Sequence, residues 1–256
     1  MRASASAFLL QYYLSRKRLQ HRLAEHQQHR LNHILRIALE QVPFYKELYG
    51  ITPNKLDPGL RMIDIVKTLP IIDKNLMRAA GYEHLLSRTT EPNLHQVTTG
   101  GSTGEAFQVS MTQLQRKRRV AVLYRTYFAH DVRPWHKLAI FQNTPPGIDN
   151  STWTGYPKSA FVEITADTAT QWGFVRESRP QILIGIPSIL CDFANYLSLN
   201  GHHYRAKAIF CNSEMLMPKQ RKTLKKIFGV EPINVYDSWE FGNIAWECPK
   251  RDGLHI

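Results

Sequence analysis

The residues best suited to chemistry lie in one short run, Thr98-Thr99-Gly100-Gly101-Ser102-Thr103-Gly104-Glu105-Ala106. Three glycines permit tight, positive-φ backbone, so successive N–H groups can converge on an anion. Three threonines and a serine add hydroxyl donors suited to phosphate oxygens. The same composition also serves an ordinary β-hairpin loop, and both readings stay open from this run alone. Two phosphate loops are excluded. A Walker loop needs Lys-Ser or Lys-Thr after its last glycine, whereas Glu105-Ala106 stand there. A dinucleotide fingerprint needs G-x-G-x-x-G opening a helix, and Thr99 occupies the first position.

The elements that must position this loop read as follows. Residues 95–99 and 107–111 are short strands, so the loop joins strand to strand. Residues 113–129 form an amphipathic helix. After it, apolar runs alternate with helices: strands at 138–141, 182–186, 206–211 and 233–236, with helices opened by Pro187 and Pro218. That alternation predicts an α/β domain of layered parallel or mixed sheets flanked by helices. Before residue 95 the chain reads as helical, with Leu31, Ile34, Leu35, Ala38 and Leu39 at helical spacing. Pro43 ends or restarts that helix, 52–60 is a loop, and Asp73 caps a helix through Ala80. Residues 145–158 are turn-rich and read as a surface loop. The expected division is a helical region over 1–94 and an α/β nucleotide-binding portion over 95–256.

Composition sets the class. Apolar residues make up 43% of the 256, enough to fill a core, which excludes global disorder. No stretch approaches the roughly 18 uninterrupted apolar residues needed to cross a bilayer, and the apolar start of the chain precedes rather than follows its basic cluster. Cys191, Cys211 and Cys248 are odd in number and contain no CxxC pair, which suits buried thiols in a reducing compartment. These features predict a cytoplasmic protein without a transmembrane segment. Lys and Arg exceed Asp and Glu by 33 to 21, a net charge of +12, which favours anionic partners. The basic runs at 116–119 and 219–226 read as solvated helix faces, since no nucleic-acid-binding signature accompanies them. Cys248 and His255 are half of a zinc ligand set at most, and a buried thiol beside a structural histidine is the expected arrangement.

The loop resembles the phosphate-binding signature of the adenylate-forming superfamily, T-S-G-T-T-G-K-P. Thr99, Gly101, Ser102, Thr103 and Gly104 match or nearly match it, while Gly100, Glu105 and Ala106 replace serine, lysine and proline. Other segments agree in order with the phenylacetate–CoA ligase and capsule-biosynthesis branch: 42–45, 69–74, Gly185-Ile186-Pro187-Ser188, Asn212-Ser213-Glu214, 236–240 and 253–256. The resemblance implies the large N-terminal domain of a carboxylate–CoA ligase, incomplete here, with the small C-terminal domain and its catalytic lysine absent. It implies ATP and Mg²⁺ as cofactors, coenzyme A as co-substrate, a small carboxylic acid as substrate, and a separate chain as a possible source of the C-terminal domain. The loop residues Thr99, Gly101, Ser102, Thr103 and Gly104 would grip the β- and γ-phosphates. Glu240 would be catalytic by coordinating Mg²⁺, Tyr236 would lie against adenine, and Asn212, Ser213 and Glu214 would border it. Trp239 replaces a Thr or Ser of the family motif and Asp237 a glycine. Trp239 and the missing lysine support a second reading, a noncatalytic nucleotide-binding or scaffold protein on a degenerate ligase fold. A third, a basic protein of nucleic acid or membrane surfaces, rests on charge alone.

Overall fold

A computed structural model describes residues 22–51, 62–88, 93–98, 107–143 and 158–256. The chain divides into two compact units, 1–121 and 122–256.

In the first unit, helix α1 (Leu23–Gln41) buries Leu35 and Leu39. Val42 is extended and Pro43 then occupies the first turn of α2 (Pro43–Tyr49), where its missing N–H costs nothing. Gly50 closes α2 with φ 60°. Helix α3 (Met62–Thr68) packs Ile65 against Leu35, with Leu31, Val66 and Leu69 around them. The Asp73 carboxylate accepts from the Leu76 N–H at 2.8 Å, the expected N-cap of α4 (Lys74–Ala80). Helix α5 (Tyr82–Leu85) meets the antiparallel pair β1 (His95–Thr98) and β2 (Gln108–Met111) through hydrogen bonds of the Tyr82 hydroxyl with Ser110 and Gln96. Helices α3 and α5 are additional to the elements expected from sequence.

Helix α6 (Gln113–Ala129) runs across the division between the units. The second unit is built on a seven-stranded sheet, β4-β3-β5-β6-β7-β8-β9. Its strands are β3 (Lys137–Gln142), β4 (Lys158–Glu163), β5 (Ile182–Gly185), β6 (Ala208–Cys211), β7 (Ile233–Ser238), β8 (Gly242–Glu247) and β9 (Leu254–His255). Pairings from β4 through β7 are parallel, and β7·β8 and β8·β9 are antiparallel. The expected α/β class with a mixed sheet is therefore present.

Two corrections apply to the strands. The strand placed at 206–211 begins at Ala208, because Ala206 bonds to the Phe228 carbonyl instead. The strand placed at 233–236 continues to Ser238, because β8 folds back on it as a hairpin partner.

The parallel strands are apolar on both faces because helices cover both. Alternation within each strand divides the two cores. Leu138, Ile182, Ile184, Ala208 and Phe210 face one side, where Tyr127 of α6 and Trp246 of β8 pack with them. Ala139, Phe141, Leu183, Ile209 and Cys211 face the other. There they meet α7 (Thr168–Ser178), α8 (Pro187–Leu199) and α9 (Pro218–Phe228) through Val175, Leu190, Phe193, Leu197, Leu224 and Phe228. Phe141, Phe193, Phe210 and Phe228 are fully buried, each worth about 1.5–3 kcal/mol of transfer free energy. Asp167 caps α7 by accepting from Thr170 N–H and hydroxyl, which holds its carboxyl below the usual range.

Candidate nucleotide site

Parallel α/β sheets bind ligands beyond the carboxyl ends of their strands. At that end β5 and β6 finish at Gly185 and Cys211, and the Asn212 N–H bonds the Gly185 carbonyl at 3.2 Å. A Cβ at Gly185 would lie 2.8 Å from the Phe141 Cβ, so only glycine lets the two strands approach here.

The next residue, Ser213, has φ 66°, a conformation that costs free energy for a residue with a side chain. Asp237, on β7, compensates. Its Oδ1 accepts from the Ser213 N–H at 3.2 Å and its Oδ2 from the Asn212 side-chain amide at 3.1 Å. Burial pushes the Asp237 carboxyl up, against the opposing pull of these two donors. Glu214 is held from another direction. Its carboxylate accepts from the Ser188 hydroxyl at 3.1 Å and the Ser188 N–H at 3.4 Å, in the first turn of α8. A carboxylate there is also favoured by the helix dipole. The turn 212–214 is thus fixed between β7 and α8.

A bulge separates Tyr236 from Asp237 in the β7·β8 ladder. The Tyr236 ring is 58% exposed and available for stacking. Residues 239–241 form the tip of the β7–β8 hairpin. The Ser238 hydroxyl accepts from the Phe241 N–H at 3.1 Å, and Gly242 takes φ 75°. Glu240 sits half-buried at this tip, flanked by the exposed rings of Trp239 and Phe241.

Of the residues expected to form a nucleotide site, Asn212, Ser213, Glu214 and Tyr236 lie at the carboxyl ends of adjacent strands, with Glu240 on the following hairpin. Thr99, Gly101, Ser102, Thr103 and Gly104 lie outside the described residues; the β1·β2 pairing is described as far as Thr98↔Gln108. Sequence reasoning missed Asp237 and Ser188 as the groups that hold the turn. Asp237 carried no local signal, since its partners lie 24 and 25 positions away.

Glu240 belongs to no cluster of three or more metal-binding side chains among the described residues; Cys248, Asp252 and His255 form one. Their donor atoms lie within 4.8 Å of one another. Asp252 Oδ1 accepts from the Cys248 thiol at 3.3 Å and contacts His255 Nε2 at 2.9 Å, contacts that hold the Asp252 carboxyl below its ordinary range. The thiol is half-buried, a correction to the buried thiol expected from sequence, and the imidazole is exposed. A two-residue strand and a turn cannot cover them.

The fold is similar, over most of the chain, to that of acid–CoA ligases of known structure. Similar structures include 2-hydroxyisobutyryl-CoA ligase in an open conformation in complex with 2-HIB-AMP and CoA, with TM-score 0.67 and 14% identity over 88% of this chain and 56% of that one. The same ligase in its thioesterification state has TM-score 0.68 and 14% identity, covering 88% of this chain and 51% of that one. In sequence, the chain is 28% identical over 86 residues to indoleacetate–lysine synthetase of Pseudomonas savastanoi, covering 33% of this chain and 22% of that protein. No protein-family profile matches the chain. The chain thus spans little more than half the length of the ligase structures and about a fifth of the synthetase. No helix among the described residues is long and apolar enough to cross a membrane.

Proposed function

We propose that this chain supplies the nucleotide-binding part of an ATP-dependent carboxylate-activating enzyme, which forms an acyl-adenylate and passes the acyl group to coenzyme A. The observation that carries the proposal is the turn 212–214, held by Asp237 and Ser188 at the carboxyl ends of β5–β7 on a ligase fold. In this reading residues 1–94 are the helical portion of one large domain and 95–256 its nucleotide-binding portion. The phenylacetate–CoA ligase branch is the proposed relationship, and the cytoplasm the proposed location.

Each residue then has a part. Thr99, Gly101, Ser102, Thr103 and Gly104 hold the leaving pyrophosphate by backbone N–H and hydroxyl donors. The turn 212–214 borders the adenine and the exposed Tyr236 ring stacks on it. The Glu240 carboxylate is a fitting hard-oxygen ligand for Mg²⁺, which when bound would offset phosphate charge. The lysine that contacts the reacting carboxylate and α-phosphate in the resembled family comes from a C-terminal domain, on this polypeptide's continuation or on a second chain.

The deciding experiment is carboxylate-dependent ATP–pyrophosphate exchange, screened over aromatic and aliphatic acids with and without a supplied C-terminal domain. Exchange that needs the added domain and is lost in Glu240→Gln, while melting is unchanged, supports the proposal. Absence of ATP·Mg²⁺ binding by calorimetry, or binding indifferent to Gly101→Trp and Gly104→Trp, removes it.

A noncatalytic nucleotide-binding or scaffold role is the second reading. It is favoured by the Asp237 carboxylate, which occupies the Ser213 N–H where the resembled motif has glycine, and by the Trp239 indole in place of a hydroxyl. ATP binding that depends on Gly101, without exchange under any pairing, selects it.

A further inference from the structure

The opposite, amino-terminal edge of the sheet carries a concavity of about 540 Å³ between the end of α7 and the segment leading into β6. Trp172 and Tyr204 line it, and the Tyr204 hydroxyl is tied to the Pro180 carbonyl, which fixes that wall. Trp172 is stacked on His202 with ring centroids 5.0 Å apart, and its buried indole N–H has no acceptor among the described residues.

Arg176, Arg179, Arg205 and Lys207 are among the residues that line this hollow. Lys207 is neutralised by Asp131 at 3.1 Å. Nearby basic residues are matched in the same way: Arg133 by Asp131, Arg221 by Glu247 and Glu231, Lys225 by Glu231. None of the three arginines forms an ion pair with an acidic side chain among the described residues. Two of them are held in place by backbone. Arg179 caps α7 with φ 50°, its N–H on the Val175 carbonyl. The Arg205 guanidinium lies over Gly229, where a Cβ would come within 1.9 Å of Nη1.

We propose that this hollow binds a small molecule carrying two or more phosphoryl groups. Guanidinium forks match phosphate oxygens in pairs, and three uncompensated forks around one concavity provide for more than one phosphoryl group. The concave shape and rigid aromatic wall suit a small ligand, whereas a duplex or bilayer needs an open basic face. The site is independent of the carboxyl-end turn and of the adenylation reading.

Hydrogen–deuterium exchange locates the ligand, because inorganic tripolyphosphate could also enter a nucleotide site elsewhere on the chain. With the intact 256-residue chain and about 1 mM tripolyphosphate or adenosine 3′,5′-bisphosphate, amides at 176–181 and 203–207 are expected to exchange several-fold more slowly. Arg176→Gln/Arg205→Gln abolishes that protection and weakens binding about tenfold, whereas Lys219→Gln/Lys226→Gln, with the same charge change, alters it less than about twofold. Tighter binding of the bisphosphate assigns a nucleotide source, and tighter binding of tripolyphosphate an inorganic one; either supports the site. Protection absent with both probes overturns the proposal. So does an equal loss in the Lys219/Lys226 variant, or protection of these segments by duplex DNA at lower concentration than either small probe.

Discussion

Asp237 on β7 reaches the backbone N–H of Ser213 at 3.2 Å and, through its other oxygen, the Asn212 amide at 3.1 Å. The turn after β6 is therefore held in its left-handed conformation by a strand that neighbours it in the sheet but is 24 residues distant in sequence. Replacing Asp237 by Ala leaves two donors without an acceptor and is expected to cost about 1–3 kcal/mol in urea unfolding.

The same carboxylate produces a pH signature. Burial raises its folded pKa above the ordinary 3.8, so the native state keeps a proton that the unfolded chain has released. Stability contributed by this group therefore falls as pH rises from the ordinary value through the raised one. Subtracting the melting profile of Asp237→Asn from that of the wild type isolates the effect from oppositely shifted carboxylates such as Asp252 and Asp167. A difference profile that instead climbs with pH through this window contradicts the assignment.

Gly185 is the last residue of β5 paired with β3, opposite Phe141. Gly185→Ala sets a methyl 2.8 Å from the Phe141 Cβ and 3.3 Å from the Phe141 carbonyl, in a core without slack. A loss of about 1–3 kcal/mol is expected, read as a lower urea midpoint at unchanged slope. The Gly185 carbonyl also receives the Asn212 N–H, so under the proposed function ATP affinity is expected to fall alongside stability.

Thiol labelling distinguishes the three cysteines. Burial pushes Cys191 up to about 11 and Cys211 up to about 12, leaving almost no thiolate at neutral pH. Cys248 is half-buried on a turn. Iodoacetamide at pH 7.5 is expected to modify one thiol of the native chain, at Cys248, and all three after denaturation; rapid native labelling at Cys211 counts against this core.

Arg221 connects α9 to the start of β7 and the end of β8. Its guanidinium donates to the Pro232 carbonyl at 2.9 Å and to Glu247 at 2.7 Å, while Glu247 also accepts the Asn234 N–H at 3.0 Å. Arg221→Ala should cost about 2 kcal/mol, the scale of hydrogen bonds to charged groups, and Arg221→Lys should recover less than half of it. Full recovery by lysine would mean that charge alone, not the planar fork, makes the connection.

Much of the second unit was legible in advance because its signals are local. Pro187 and Pro218 open α8 and α9, and the runs at 138–141 and 182–185 are apolar at every position because both faces are covered. Asp73 could be read as a cap since its partner is three residues away. β4, β8 and β9 escaped notice: β4 follows a turn-rich segment, β8 lacks clean alternation and is defined by its pairing to β7, and β9 is a two-residue edge strand paired to β8.

The amino-acid order alone determined an α/β chain, the glycine-and-hydroxyl composition of residues 98–104, and the strand–turn–helix at 185–188, because backbone preference and apolar periodicity act within a few residues. Tertiary structure alone decided that Asp237 would serve Ser213, that Ser188 would hold Glu214, and that Arg176, Arg179 and Arg205 would share one hollow. Each of those relationships joins segments more than twenty positions apart, Arg205 being the distant member of the last, and strand order brings them within reach. Nothing in local propensity encodes that order; it follows from burying both faces of the sheet at once.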